Sequence, residues 1–277
     1  MGIKTVTDAY GNQIDTPYNL GSVFTEACGV GFHYQCYPSN SIDFGLSFTA
    51  MHWLSRIPSS LKGEQFMHAA RCPEAPILEK QQAQEDWKSI LDARAKELVP
   101  GGRFVTANFC VSKEGYFLGQ TDVGVSMWDS FQTSWDKLKE DGLIDEEERL
   151  GVSFPSYYRT MDEFVSAVDE IDDLEVVSAE EKVVRCPYRE LYVKGETGMS
   201  PREYAEWFVP TTRTWSNATF RSALKDDKSD DEKDKIMDQF WENYVSLVAE
   251  NPEVHGMDYV HVHLVLEKKS TVGDDEL

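Results

Sequence analysis

Apolar positions recur with a helical period between Pro76 and Leu98, where Trp87, Ile90, Leu91, Ala95 and Leu98 fall on one stripe. The helix predicted there ends at Pro100-Gly101-Gly102, since proline lacks the amide a helix needs and glycine favours the turn out of it. Residues 103–111, RFVTANFCV, then read as a strand entered through the glycine pair. MWDSFQTSWDKLKEDG predicts a second helix, closed by Gly142, and Thr160-Met-Asp-Glu163 and Ser200-Pro-Arg-Glu203 are capping boxes that open two more. Pro201 stands at the favoured first helical position. Val260, Val262, Leu264 and Leu266 alternate through residues 258–269 and mark the clearest strand. The mostly apolar run from Ile42 to Leu54 is flanked by turn signals, which predicts a buried strand at the centre of a sheet. A shorter strand is predicted at residues 22–27, and residues 1–20 show no period. The charge run at residues 225–235 reads as a solvated loop or helix start. No internal repeat is visible, and helices alternating with strands predict a layered α/β sheet.

Composition narrows the functional classes. With 277 residues, 41% of them hydrophobic, the chain can bury a large core, and its 7 Trp, 12 Tyr and 14 Phe can also wall a site for a small organic ligand. Against 27 basic residues stand 49 acidic ones, a net charge of −22 that would repel nucleic-acid phosphates and anionic membrane surfaces. Cys28, Cys36, Cys72, Cys110 and Cys186 contain no C-x-x-C pair, so neither a zinc site nor a disulfide framework is indicated. Reduced thiols, no apolar leader and no long apolar run predict a cytoplasmic chain outside the membrane. The terminal Asp-Asp-Glu-Leu is close to a retention signal, but one that acts only after entry into the secretory route.

Three local patterns compete as chemistry. Cys28-Gly-Val-Gly31 resembles a nucleotide loop, but the third glycine is absent, and the roughly ten residues before the next strand are too few for a crossover of a dozen or more. These glycines are expected to be turn residues beside a site. His261 and His263 alternate in the last strand with no third metal ligand evident nearby, so half-exposed strand histidines are the simpler reading. No G-x-S-x-G elbow is present. His52-Trp53 is more informative, because it ends a predicted strand, where α/β folds place ligands, and an indole N–H needs an acceptor.

At PSNSIDFGLSFTAMHWLSRIP the chain resembles the salicylate, jasmonate and caffeine-type (SABATH) S-adenosylmethionine-dependent methyltransferases, whose pattern runs F-P-x-N-S-(I/L)-x-F-x-x-S-S-Y-S-L-(H/M)-W-L-S-x-V-P. The similarity continues through KGEQFMHAARCPEAPILEKQQAQEDWKSILDARAKELVPGGRFV, DGLIDEEE and FPSYYRTMDEF, covering about residues 22–170, with a looser fit beyond. It implies part of a class I, Rossmann-like α/β sheet, mostly parallel with one antiparallel strand, under an α-helical cap. The core is expected at residues 1–125 with the strand 257–268 returning to it, and the cap and C-terminal helices at 126–256. Thr49, His52, Trp53, Trp128 and Tyr157 fall on the family's acceptor-binding positions, and Gly31 and Phe32 on a pair lining the adenine side of the donor.

The departures shape the expected function. The family's donor loop, D-x-G-C-(S/A)-x-G, and its N-D-L strand end occur nowhere in this sequence, so the resemblance begins part-way through the family's pattern, with the first two strands expected to be missing. Leu61, Leu150, Val152 and Ser153 stand where the family places magnesium ligands, and apolar side chains cannot give oxygen to a hard cation. The resemblance implies methyl transfer from S-adenosylmethionine to a small carboxylic acid or heterocycle, with weak donor binding by this chain alone, no residue in covalent or acid–base catalysis, and no metal. The alternative is a catalytically inactive methyltransferase-like binding or regulatory protein. A homodimer, or a heterodimer with a complete homologue, is the assembly either reading allows.

Overall fold

The computed structural model describes residues 5–7, 12–16, 23–24, 26–57 and 75–270. A four-stranded sheet of order β3-β4-β6-β5 organises the molecule, built from β3 (Ile42–Phe48), β4 (Leu98–Phe109), β5 (Leu174–Val184) and β6 (Tyr259–Lys268). β3 and β4 are parallel, and β6 runs antiparallel to both β4 and β5, so three strands share one direction and one opposes them. This is the mixed α/β sheet expected from the sequence. β5 enters it from within residues 126–256. Before the sheet, β1 (Thr5–Thr7) and β2 (Gln13–Asp15) form an antiparallel ribbon that no sequence period announced. Residues 23, 24, 26 and 27, where a short strand was expected, are in no strand, and Leu61 lies outside the described residues.

The alternation of β6 places Val260, Val262, Leu264 and Leu266 on one face, all fully buried against α1 (Ala75–Glu97) and α4 (Met161–Ser166). From α1, Trp87, Ile90, Leu91 and Ala95 meet this face, as the helical stripe requires, and the Trp87 indole donates to the Phe164 carbonyl at 3.1 Å. A short 3-10 turn (Val168–Glu170) completes the layer.

The strand at Ile42 is an edge strand, which corrects the expectation of a buried central one. Phe44, Leu46 and Phe48 are 56%, 57% and 59% exposed, because no described residue pairs with the outer edge of β3 and their shared face is largely uncovered. An apolar run fits a strand buried on both faces, yet it cannot say whether both neighbours are present.

A second apolar cluster, rich in aromatics, forms under α2 (Met127–Glu140), α3 (Glu146–Gly151), α5 (Pro187–Val193), α6 (Pro201–Ser222) and α7 (Asp230–Glu250). Phe131, Trp135, Phe220 and Phe240 interlock there at ring-centroid distances of 4.3–6.1 Å. Capping boxes at Asp145, Thr160, Ser200 and Ser229 start α3, α4, α6 and α7, each closed by a glutamate three residues on. Gly142, at φ +74°, takes the left-handed turn after α2.

Candidate active site

Strand direction decides where a site can form. The C-terminal ends of β3, β4 and β5 and the start of β6 lie at one end of the sheet, and the cap helices α2, α5 and α6 stand over it. A cavity of about 530 Å³ opens there, within the range typical of small-molecule sites. The sheet contributes Thr49, His52, Trp53, Phe109, Val184 and Tyr259, and the cap contributes Trp128, Tyr188, Phe208, Thr211 and Trp215.

Thr49 ends β3 with φ +51°, a left-handed conformation that costs a β-branched residue about 1–2 kcal/mol. The Thr49 amide donates to the Ala107 carbonyl at 2.8 Å, and the Trp53 amide to the Ala50 carbonyl at 3.1 Å, so the chain reverses within four residues and sets His52 and Trp53 on the cavity wall. Strain of this kind, held by neighbouring hydrogen bonds, is characteristic of functional sites.

Residues 154–159 stitch this turn to the next strand. Leu54 donates to Pro155, Tyr157 to His52, and Val111 to Arg159, at 2.8–3.1 Å. In so extended a segment neighbouring side chains take opposite sides. Tyr158 therefore joins the cavity, where it accepts a hydrogen bond from the Trp128 indole at 3.2 Å, and burial pushes its phenol well up. Tyr157 points to the α1 side, donates to Glu163 at 3.2 Å and lines a separate groove of about 360 Å³. Burial and the nearby Glu163 carboxylate push the Tyr157 phenol up to about 12. Tyr157, expected beside Trp53 and Trp128, therefore lines the α1-side groove, and its neighbour Tyr158 lines the cavity with them: the pleat decides which of two adjacent tyrosines faces which side.

Of the sequence-derived candidates, Thr49, His52, Trp53 and Trp128 converge on the cavity. His52 is buried between Trp53, Phe109 and Tyr158, with ring centroids 4.7, 5.0 and 5.6 Å away. The Trp53 Nε1 has no hydrogen-bond partner among the described residues, and its half-buried ring lines the cavity. Gly31 and Phe32 are not on this wall. Phe32 packs at the margin of the α1-side core and stacks on His33, whose ring nitrogen lies 3.2 Å from the Trp53 carbonyl oxygen. They back the acceptor turn from behind. Phe109, Phe208, Trp215 and Tyr259 escaped sequence reasoning, although Phe208 and Trp215, two turns apart on α6, form a stripe that an amphipathic reading would have flagged.

The remaining wall is held by one buried carboxylate. Asp258, at the foot of β6, accepts from the Arg189 guanidinium at 2.7 Å, from the Arg185 guanidinium at 3.0 Å, and from the Cys186 amide and Thr121 hydroxyl at 2.8 Å. Burial alone would raise its carboxyl, but the Arg189 hydrogen bond and these other donors outweigh that and hold it below the usual range. The segment from Val184 to Tyr188 is fixed to β6 by this cluster. Among the described residues Arg185 is the one charged side chain on the wall, and Asp122 and Asp258 both pair with it.

Among the described residues this wall carries no acidic side chain. Of the three indoles on this wall, that of Trp128 donates to Tyr158, and those of Trp53 and Trp215 have no hydrogen-bond partner among the described residues. Leu150 and Val152 pack into the aromatic core, and among the described residues no group of His, Cys, Asp or Glu is placed to hold a metal. No helix among them is long and apolar enough to cross a membrane.

Residues 3–269 match the family described as SAM dependent carboxyl methyltransferase. The chain belongs to this family. It is 31% identical over 160 residues to indole-3-acetate O-methyltransferase 1 of Arabidopsis thaliana, a stretch covering 53% of this chain and 40% of that relative. A probable 7-methylxanthine methyltransferase 5 of Theobroma cacao is 25% identical over 274 residues, 92% of this chain and 68% of its own length. The chain thus spans less than half of the first of these relatives. Among solved structures, a loganic acid methyltransferase with SAH superposes with a TM-score of 0.68 at 20% identity, covering 89% of this chain and 67% of that one, a match that places this family member in the class I methyltransferase fold.

Proposed function

We propose that this SAM-dependent methyltransferase family member binds a small aromatic carboxylate or heterocycle in the cavity between sheet and cap, as the acceptor half of a methyl transfer. The observation that carries this reading is the Trp53 indole, which follows the end of β3, has no hydrogen-bond partner for its N–H among the described residues and lines a cavity with Phe109, Trp128, Tyr158 and Trp215. A carboxylate is already ionised at neutral pH, so no general base is needed. Trp53 would hold one carboxylate oxygen and leave the other directed toward an incoming methyl group, while the aromatic walls exclude water. The names of relatives, indole-3-acetate and gibberellic acid methyltransferases among them, suit a carboxylic acid as acceptor, the first of them an aromatic one. The reduced thiols and the lack of charge complementarity to membranes fit work in the cytosol.

Donor binding is the weaker half of the reading. S-adenosylmethionine is the family's methyl donor, and this chain supplies neither the family's glycine-rich loop nor an acidic residue on the cavity wall. Charged hydrogen bonds contribute about 1.5–3 kcal/mol each, so the loss of two would weaken donor affinity by roughly a hundredfold to ten-thousandfold. The same feature favours the second reading, a catalytically inactive protein that binds the acceptor or pairs with a complete homologue. Calorimetric titration with indole-3-acetate separates these proposals from a vacant fold: binding by the native chain that drops in Trp53→Phe supports them, and equal binding by both proteins refutes the role of Trp53.

A further inference from the structure

We propose that Cys28 and Cys36 form a reversible disulfide that clamps the loop behind Trp53. The Cys28 thiol is exposed and donates to the Cys36 carbonyl oxygen at 3.3 Å. Cys36 turns its Sγ into the same loop, 3.5 Å from the Tyr34 carbonyl oxygen and 3.8 Å from those of Val30 and Gly31. One side chain already touches the other residue, and rotation of an exposed cysteine side chain, within nanoseconds, can carry its sulfur toward the other.

The loop is built to transmit such a clamp. Arg94 and Glu97, a nearly buried ion pair at the end of α1, hold it by the Phe32 and Tyr34 carbonyls and the Cys36 and Tyr37 amides. His33 then reaches the Trp53 carbonyl. Closing the loop at Cys28 and Cys36 ties its Cys28 end to the end that Glu97 anchors, next to the turn that carries Trp53. Cys110 and Cys186 are buried and burial raises both thiols, which leaves them poor competitors.

The oxidant is a peroxide. The Cys28 thiolate attacks one peroxide oxygen, the O–O bond breaks, and the sulfenic acid forms as a first water leaves. The Cys36 sulfur then attacks the Cys28 sulfur and releases a second water. Two thiols thus yield two electrons and two protons to one hydrogen peroxide, giving one disulfide and two waters.

Hydrogen peroxide treatment of the purified chain, followed by thiol blocking and peptide mapping, tests the proposal without reference to methyl transfer. The expected product is an intramolecular crosslink between the Cys28 and Cys36 peptides, reversed by dithiothreitol and absent in Cys28→Ser and in Cys36→Ser. Amide exchange across residues 29–35 should slow by about tenfold on oxidation, because the opened loop becomes rarer. Cys28 recovered as an intermolecular dimer, as a sulfinic acid, or crosslinked to Cys72, with the Cys36 thiol still free, would overturn it.

Discussion

Adjacent tyrosines on the same segment have opposite fates, which makes them the sharpest residue-scale test. Tyr158→Phe removes the hydroxyl that accepts from the buried Trp128 indole and should cost about 1 kcal/mol, read as a lower midpoint in urea, together with weaker binding of an aromatic acid. Tyr157→Phe removes a half-buried bond to Glu163 on the far side and should leave acid binding unchanged. The reverse ranking in binding would place the wrong tyrosine on the wall. Titration adds a second test. Burial, aided in His261 by the neighbouring His263, pushes His255 and His261 down to about 4, while burial pushes Glu79 up to about 7. Below its unfolded value each histidine binds its proton more readily in the unfolded chain, so its contribution to stability is full above about pH 6.5 and lost as pH falls toward 4. Glu79 acts in the opposite sense between about pH 4.5 and 7, because its folded form keeps the proton longer. These two histidines, with His263 lowered in the same sense by burial, outweigh the one glutamate and leave a net gain of stability with rising pH from about 4.5 to 6.5. Thermal melts should rise across that window, and His255→Gln with His261→Gln should flatten the rise.

Among the elements, β3 separates what the sequence could say from what it could not. The helix at Ala75–Glu97, the strand at Tyr259–Lys268 and the capping boxes at Thr160 and Ser200 were legible, because each is decided by local period or local hydrogen bonds. Whether β3 sits at the centre or the edge is decided by its neighbours, and no property of IDFGLSF contains that. The site was legible in the same measure: His52-Trp53 follows from strand-end logic, whereas Phe208, Trp215 and Tyr259 arrive from elements far apart in the chain. The energetic consequence is measurable. Phe44→Ser and Phe48→Ser on the exposed face should change unfolding free energy by less than about 0.5 kcal/mol, whereas Leu264→Ala, fully buried on the opposite face, should cost about 2–5 kcal/mol. Large losses at Phe44 and Phe48 would mean that their face is covered in solution.

At the scale of the whole molecule, one end of a mixed sheet and an aromatic cap enclose a cavity, and among the described residues its wall carries the Trp53 and Trp215 indoles without hydrogen-bond partners and no acidic side chain. A chain with this division should bind the acceptor well and the donor poorly. That separation distinguishes the present account both from a complete methyltransferase, which binds both, and from a scaffold that binds neither. Parallel calorimetric titrations of the purified chain with an aromatic carboxylate and with S-adenosylmethionine test it most directly. The account predicts saturable binding of the acid, weakened roughly tenfold or more in Trp53→Phe by loss of a hydrogen bond to a charged group, and little or no heat from S-adenosylmethionine. Low-micromolar binding of S-adenosylmethionine, or acid binding indifferent to Trp53, would contradict it.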